Sequence, residues 1–190
     1  MKEVEPIRDL KKVEAMKRYL KGNNTRDYAL FVVGLNLALR ISDLLSLQWE
    51  DILDPIGKFK AIRIIEGKTK KRRTIHLNKE CQKALREYMK DIEGEGRGLS
   101  GPVFRSRKGK KAITRQMASI IIKEAAQAVG VEEEINTHSL RKTWGYHAWK
   151  AGFNPAIIME TLNHSNLSVT KRYLGITQSD VNDLYENHLI

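Results

Sequence analysis

The segment formed by residues 138–173 most constrains the fold, because it contains start and stop signals for successive short helices. Gly152 is placed to end a first helix, since glycine commonly follows the last helical turn. Asn154 is a strong cap for a second helix, and Pro155 fits its first position, where the missing N–H costs nothing. We expect this second helix to end near His164. The chain therefore turns back on itself within this segment.

Side chains that bind anions recur in the same segment. His138 and Arg141 are three residues apart, so they share one face at the start of the first helix. Ser168 is predicted to cap a third, short helix that carries Tyr173. The two tight turns are expected to bring together His138, Arg141, His164 and Tyr173.

The chain is strongly basic, with 34 Lys and Arg residues against 23 Asp and Glu and a formal net charge of +11. This excess favours a polyanionic partner, a class that includes DNA, RNA and an anionic membrane. On charge alone, a basic protein without such a partner remains the alternative. No apolar stretch is long enough to span a bilayer, and no signal peptide opens the chain. The lone Cys81 cannot form an internal disulfide, and a reducing, cytoplasmic location is expected.

The first part of the chain predicts three helices. Residues 3–21 have helical periodicity, and the buried stripe would contain Ile7, Leu10, Val13, Met16 and Leu20. Thr25 is predicted to cap a second, apolar helix, and Ser42 to start a third. Arg40 falls at the junction between them, where it would be paired or would bind an anion. Asp43 is the nearest candidate to hold Arg40 in place.

A small sheet follows. Residues 59–66 and 72–77 are β-branched runs that predict antiparallel strands joined by the turn at 67–71. Residues 102–105 are predicted to add a third strand. The expected fold class is mainly α (α+β), with helices around one small antiparallel sheet in a single domain over residues 1–190.

Three further helices are expected beyond the strands. Asn78 is predicted to cap a helix that runs to about Asp91, and Thr114 a helix that Gly130 stops. Residues 174–190 are predicted to form a short C-terminal helix.

Basic turns are candidates for contact with a phosphate backbone. The turn carrying Lys68 has a shape that can enter a DNA groove and place an ammonium beside a phosphate. A merely solvated turn is the alternative. The predicted DNA-binding side chains are Lys70, Lys71, Arg72, Arg107, Lys108 and Lys142.

Four segments together resemble the catalytic domain of the tyrosine recombinases, the phage integrase family. ALRISDLLSLQWEDI is similar to the first arginine box, GKTKKRRTIHL to the lysine hairpin, and THSLRKT to the His-x-x-Arg box. LNHSNLSVTKRYL resembles the final box, in which Tyr173 follows His164 by nine residues. The resemblance covers roughly residues 5–180 in the family's order, which makes it specific.

The sequence departs from the family pattern at a few positions. Ala38 and Asn163 stand where glycine is common, and Lys142 where histidine is common. These recombinases also usually carry an N-terminal helical domain that closes around DNA. We expect that domain to be absent, because the chain begins at about the first catalytic-domain helix.

The resemblance implies DNA strand exchange through a 3′-phosphotyrosyl intermediate, without a metal or other cofactor. Arg40 and Arg141 would clamp the nonbridging phosphate oxygens, since a guanidinium offers paired donors and keeps its charge. His164 would donate to the same oxygens. Asp43 would orient Arg40 without touching DNA.

The remaining roles concern the movement of protons. Tyr173 is the implied nucleophile, and its phenol needs a base or a cationic pocket, because an unperturbed phenol has a pKa of about 10. His138 is suited to accept that proton and return it. Lys68 would be the general acid for the leaving 5′-oxygen.

The implied partner is double-stranded DNA, with no membrane. In the family, a tail such as residues 174–190 tends to dock on a neighbouring protomer, which implies a homo-oligomer, a tetramer, assembled on DNA. A separate protein could supply the missing clamp domain.

Two other functions remain open at this point. One is a non-catalytic DNA-binding regulator, favoured by a helix–turn–helix pattern in residues 154–173. The other is a type IB-like topoisomerase that uses the same chemistry.

Overall fold

The computed structural model describes residues 4–187, apart from the side chains at positions 181 and 184. Along the chain the elements are α1 (Leu10–Asn23), α2 (Thr25–Leu37), α3 (Ile41–Leu45), α4 (Trp49–Ile52), β1 (Ile62–Ile65), β2 (Arg72–Ile75), α5 (Lys79–Gly94), α6 (Arg115–Ala128), α7 (Thr137–Lys150), α8 (Pro155–Thr161), α9 (Leu167–Leu174) and α10 (Gln178–Asn187). The strands pair antiparallel, with Ile62 opposite Ile75. The predicted mainly helical fold with a small antiparallel sheet is confirmed. Within the described residues, the helices are too short or too polar to cross a bilayer.

Helix α2 lies at the centre of a large hydrophobic core. It is buried on every face between Tyr28 and Leu37, as expected for a helix that is apolar all round. It packs against α1, α5 and α7. Gly34 allows the close approach to α7, because a Cβ there would lie 2.7 Å from Cδ1 of Leu140.

A second, small cluster lies beneath α8 and α9. It consists of the buried residues Ala38, Ile158, Leu162 and Leu174. Tyr173 packs against it, and so does Trp144 of α7. Gly145 allows α9 to lie close to α7, because a Cβ there would lie 2.6 Å from Cδ2 of Leu174. We refer to this group as the small cluster.

Several helix caps agree with the sequence prediction. The side chains of Asn78, Thr114 and Asn154 each accept a backbone N–H bond at a helix start. Gly130 and Gly152 follow helix ends with positive φ angles of 68° and 82°.

Other predicted helix starts are corrected by one to a few residues. Asn24 rather than Thr25 caps α2, and its own N–H also bonds to the end of α1, so one residue serves both helices. Asn166 rather than Ser168 caps α9, by accepting the N–H of Val169. Helix α3 begins at Ile41, one residue before the predicted Ser42.

The N-terminal segment also differs from the prediction. Helix α1 begins at Leu10, where Asp9 caps it, and not at residue 3, which lies outside the described residues. Residues 4–9 are not helical, and the N–H of Ile7 bonds to Oγ1 of Thr143 on α7 at 2.8 Å. Leu10 is 60% exposed and not part of the buried stripe.

The predicted third strand at residues 102–105 is wrong. Pro102 pairs with Gln48 and Arg105 with Ala112, but only as isolated bridges. The sheet described between residues 4 and 187 has two strands.

Candidate active site

Arg141 joins three parts of the chain. It lies on α7 and is 4% exposed. Its Nη1 donates to the carbonyl oxygen of Ala38, and its Nη2 to that of Leu162. Burial lowers the pKa of Arg141, yet a guanidinium stays charged at ordinary pH. Because the group has five N–H donors, these two bonds leave others for an anion.

The structure corrects the predicted partner of Arg40. Arg40 has an extended backbone just before α3, so it does not share a helical face with Asp43. Its Nη1 instead donates to Oε2 of Glu66 at 2.5 Å. Oδ1 of Asp43 accepts the N–H of Gly67 at 3.0 Å, and its buried Oδ2 has no hydrogen-bond partner in the described chain. Asp43 therefore holds the hairpin turn and not the guanidinium.

Glu66 connects the hairpin to the rest of the site. It is 0% exposed, and its carboxylate accepts hydrogen bonds from Arg40 at 2.5 Å, Arg73 at 2.7 Å, Thr69 at 2.8 Å and Asn163 at 2.8 Å. Burial alone would raise the pKa of Glu66, but these hydrogen bonds lower it to about 2. The carboxylate is therefore charged at ordinary pH.

Glu66 was not among the sequence-predicted site residues. Two of its partners, Arg40 and Asn163, are 26 and 97 residues away in the chain, so no local spacing reveals them. One signal was available, because Glu66 is the only acid among residues 59–77 and directly precedes the basic turn.

Two departures from the family pattern share one backbone conformation. Ala38 and Asn163, which stand where glycine is common in the family, both have a φ of 51°. Asparagine is among the residues that visit this left-handed region most readily. Asn163 also gains contacts that glycine lacks, because its Nδ2 donates to Glu66 and, at 2.7 Å, to Oγ1 of Thr69.

Lys68 lies exposed on the turn between β1 and β2. The turn is closed by two backbone bonds: the N–H of Lys70 donates to the carbonyl of Glu66 at 2.9 Å, and the N–H of Glu66 to that of Lys71 at 3.0 Å. The backbone on which Lys68 lies is therefore hydrogen-bonded at the base of the turn, while the lysine side chain is exposed to solvent.

His164 and Tyr173 are in direct contact. Their rings meet edge to face, with centroids 4.7 Å apart. Nδ1 of His164 lies 3.1 Å from Oγ1 of Thr170, which is 1% exposed. Burial lowers the pKa of His164 to about 4, together with the charges of Arg141 and Arg40. The ring is therefore neutral at ordinary pH and can donate from one nitrogen.

The hydroxyl of Tyr173 is buried and has no hydrogen-bond partner in the described part of the chain. Burial raises the pKa of this phenol, while the charge of Arg141, the nearby N–H donors of Arg141 and the charge of Arg40 oppose that effect. The guanidinium of Arg141 therefore lies beside the hydroxyl, although no contact between them has the geometry of a full hydrogen bond. Nζ of Lys142 lies 5.4 Å from the ring centroid. A buried hydroxyl without a full hydrogen bond costs free energy, so its presence here needs a specific explanation.

His138 lies at the start of α7, close to the positive groups. Partial burial lowers its pKa, and the charges of Arg141, Lys142, Arg40 and Lys68 lower it further. His138 therefore stays neutral and able to accept a proton.

The predicted DNA-binding residues fall into two groups. Five are exposed, namely Lys70, Lys71, Arg72, Arg107 and Lys108. Lys142 is only 6% exposed and lies beside the Tyr173 ring, so its surroundings are those of the site and not of an open surface. Among the described residues, no group of three or more His, Cys, Asp or Glu side chains could hold a metal ion.

Solved structures identify the class of fold. The XerA recombinase aligns with a TM-score of 0.77 at 19% identity, over 100% of this chain and 66% of that one. XerH bound to a palindromic difH substrate, in a post-cleavage complex, aligns with a TM-score of 0.72 at 18% identity, over 97% and 54%. The fold is that of tyrosine recombinase catalytic domains.

Sequence comparison gives the family. Residues 8–179 match the phage integrase family. The probable integrase/recombinase YoeC of Bacillus subtilis (strain 168) is 42% identical over 183 residues, which cover 96% of each chain. The tyrosine recombinase XerC of Thermodesulfovibrio yellowstonii is 30% identical over 166 residues, or 85% of this chain and 54% of XerC. The chain thus spans nearly all of YoeC and about half of XerC. It belongs to the phage integrase family.

Proposed function

We propose that the chain is a site-specific DNA recombinase that cleaves and rejoins DNA through a 3′-phosphotyrosyl intermediate. Family membership supports the reaction class. The observation that carries the mechanism is the buried hydroxyl of Tyr173, whose ring contacts His164 and whose pKa the charges of Arg141 and Arg40 lower against the effect of burial. Phosphoryl transfer depends mainly on positioning and on neutralising charge on the phosphate oxygens, so fixed positive groups beside a phenolic oxygen support this chemistry.

In the proposed reaction, Oη of Tyr173 attacks the scissile phosphorus and the bond to the 5′-oxygen breaks. Arg40 and Arg141 neutralise the nonbridging oxygens, and neutral His164 donates a further hydrogen bond. The two carbonyl bonds of Arg141 hold its guanidinium in place before DNA arrives. The phosphotyrosine conserves the energy of the phosphodiester for rejoining.

Two side chains move the protons. His138 accepts the phenolic proton and returns it during rejoining, a role that suits a ring kept neutral by its surroundings. Lys68 protonates the leaving 5′-oxygen, and its position on an exposed turn suits a group that must reach DNA. The 5′-hydroxyl of an incoming strand reverses both steps.

Access to the nucleophile requires a rearrangement. The Tyr173 hydroxyl is covered, so α9 must shift when DNA binds. Contacts between the exposed Lys70, Lys71, Arg72, Arg107 and Lys108 and the phosphate backbone supply binding free energy for that shift.

The test is covalent trapping on a nicked or suicide duplex that carries the cognate site. The wild-type protein should form an adduct that resists denaturation, and Tyr173→Phe should form none. Tyr19→Phe, at an exposed position of α1, removes a hydroxyl that makes no described contact with the site residues and should leave the adduct intact. Failure of the wild-type protein to form an adduct on its cognate site would contradict the proposal.

The proposed acid has its own test. Lys68→Ala should lose cleavage of normal DNA by about 10²–10⁴-fold. Cleavage should return when sulfur replaces the leaving 5′-oxygen, because a thiolate leaves without an acid. A variant that stays inactive on the sulfur substrate would remove Lys68 from this role.

We also propose that the chain assembles as a homo-tetramer on DNA through its C-terminal tail. A groove of about 500 Å³ between α1, α7 and α8 is lined by Leu10, Phe153 and Ile157, each more than half exposed. Leu10 thus lines this groove and does not enter the core. The groove offers an apolar seat for the tail of a neighbouring copy.

Truncation after Gly175 tests the assembly. It should reduce cooperative binding and synapsis of two sites, as measured by gel shift and by sedimentation with DNA. Leu10→Ser should give the same defect while the tail is intact. Unchanged assembly in both variants would remove the idea.

A further inference from the structure

Glu66 occupies a position where a carboxylate is costly unless it is fully hydrogen-bonded. A buried charge must find partners or lose its charge. Glu66 is 0% exposed, and its two oxygens accept bonds from four side chains. Those bonds have fixed directions, so the carboxylate sets the relative positions of the groups that donate to it.

Three of the four donors lead directly to a proposed catalytic group. Arg40 is itself one of the two proposed phosphate clamps. Thr69 follows Lys68 in the hairpin turn, and Asn163 precedes His164. Asn163 and Thr69 are also bonded to each other at 2.7 Å. One buried carboxylate thus connects three separate segments of the site.

The surrounding bonds reinforce this connection. Arg73 of β2 donates to Oε1 of Glu66 at 2.7 Å, which ties the second strand to the end of the first. Asp43 accepts the N–H of Gly67 from the other side of the turn at 3.0 Å. A Cβ at Gly67 would lie 3.2 Å from that carboxylate, so the turn lies tightly against α3.

We propose that Glu66 is a positioning residue that sets the geometry of Arg40, Lys68 and His164 for strand cleavage. It does not touch DNA in this role and acts through its four partners. The proposal rests on the proposed function. It goes further because one carboxylate holds both the turn that carries Lys68 and the residue before His164. A change at Glu66 should therefore affect the proposed acid, Lys68, and the proposed phosphate ligand, Arg40, together.

The experiment measures single-turnover cleavage of normal and 5′-sulfur suicide substrates, with DNA affinity measured separately. Glu66→Gln replaces one accepting oxygen with a donor that faces Arg73 or Arg40. A misplacement of about 1 Å costs about 10²-fold in rate, and we expect that loss on normal DNA with unchanged affinity. On the sulfur substrate the defect should shrink by about tenfold or more, since the acid is no longer needed.

Two variants separate positioning from a general loss of folding. Asn163→Gly keeps the left-handed backbone, because glycine adopts positive φ freely. It removes the two hydrogen bonds that the Asn163 side chain donates to Glu66 and Thr69. It should reproduce part of the Glu66→Gln defect. Asp27→Asn removes a partly buried ion pair with Arg26 that lies outside this network, and it should cleave like the wild-type protein. Loss of cleavage in Asp27→Asn equal to that of Glu66→Gln would overturn the proposal.

Hydrogen exchange without DNA gives a readout that does not depend on catalysis. Glu66→Gln should speed exchange of the Gly67 and Lys70 amides and, at the same time, of the His164 amide, which bonds to Met159. Faster exchange in the hairpin alone, or a cleavage defect of equal size on both substrates, would overturn the coupling. If the wild-type protein forms no adduct, the proposed function fails, while the exchange result still decides whether Glu66 links these segments.

Discussion

The large core and the small cluster differ in local stability, and they support different members of the proposed catalytic set. Leu39, Leu44 and Leu140 of the large core flank Arg40 and Arg141 in sequence. Tyr173 instead packs on the small cluster, which has only four buried residues in the described chain. Segments with few buried apolar contacts open at lower free energy than a core does. The proposed phosphate clamp therefore lies on the large core, and the proposed nucleophile on an element that we expect to open at lower free energy.

Arg141 is the point where the two regions meet, because it bonds to the carbonyl oxygens of Ala38 and Leu162. Arg141→Lys keeps the charge but loses the planar fork, so both carbonyl bonds cannot be kept. We expect the largest effect here, a loss of about 10²–10³-fold in adduct formation. Hydrogen exchange of α9 should rise in the same variant.

Arg18→Lys, on the exposed surface of α1, is the matched control and should behave like the wild-type protein. An active Arg141→Lys variant with an unchanged α9 would mean that neither the clamp nor the connection depends on the guanidinium.

A pair of leucine substitutions tests whether the small cluster is locally less stable than the large core. Leu30 and Leu174 are both 0% exposed, one in the large core and one in the small cluster. Each change to alanine removes contacts worth about 2–5 kcal/mol. For Leu30→Ala the loss should appear in the global free energy of unfolding by urea.

For Leu174→Ala the loss should appear mainly as faster exchange of α9, with a smaller change in global stability. If both variants lowered global stability equally, the small cluster would unfold only together with the core, and the proposed release of Tyr173 would lose its basis.

Much of this fold is predictable from local sequence. Helical periodicity and the caps at Asn78, Thr114 and Asn154 define three helix starts, because each cap depends on residues within one turn. Asn24 and Asn166 were missed because a neighbouring Thr or Ser can cap equally well on sequence grounds. Local pattern does not distinguish a strand from an isolated bridge, which is why residues 102–105 were misassigned.

The site was predictable only as a set of candidates. The resemblance to the family's final box pairs His164 with Tyr173, and the structure places their rings in contact. Spacing in the sequence cannot identify Glu66 as the partner of Arg40, because that ion pair is formed by tertiary packing. The i, i+3 rule favoured Asp43, but Arg40 lies outside the helix to which the rule applies.

Gly145 tests how closely α9 must lie against α7. A Cβ at this position would be 2.6 Å from Leu174 and 3.3 Å from Leu162. Gly145→Ala should cost about 1–3 kcal/mol through overpacking, despite the better helix propensity of alanine. The same change at Gly22 of α1, where no atom lies within 4 Å, should be neutral or stabilising by up to about 1 kcal/mol. Thermal unfolding measures both, and a stabilised Gly145→Ala would mean that α9 does not lie this close.

The smallest expected effect is on the pH dependence of stability, to which His164 and Glu66 contribute in different pH ranges. The pKa of His164 falls from 6.5 to about 4 on folding, because burial and the charges of Arg141 and Arg40 disfavour the protonated ring. Between those values the unfolded chain binds more protons, so stability falls as the pH drops from 6.5 towards 4. His138 contributes in the same direction. Glu66 acts in a lower pH range, because its pKa falls from 4.5 to about 2 on folding, and its contribution to stability is lost only below pH 4.5.

His164→Gln should therefore lose less thermal stability than the wild-type protein between pH 6.5 and 4, and its stability should vary with pH like that of the wild-type protein below that range. His76→Gln, at an exposed position just after β2, is the matched control for loss of a histidine outside the small cluster. If thermal stability varied with pH in the same way in His164→Gln and in the wild-type protein, the His164 ring would be protonated as easily in the folded chain as in the unfolded one. Folding would then not lower the pKa of His164.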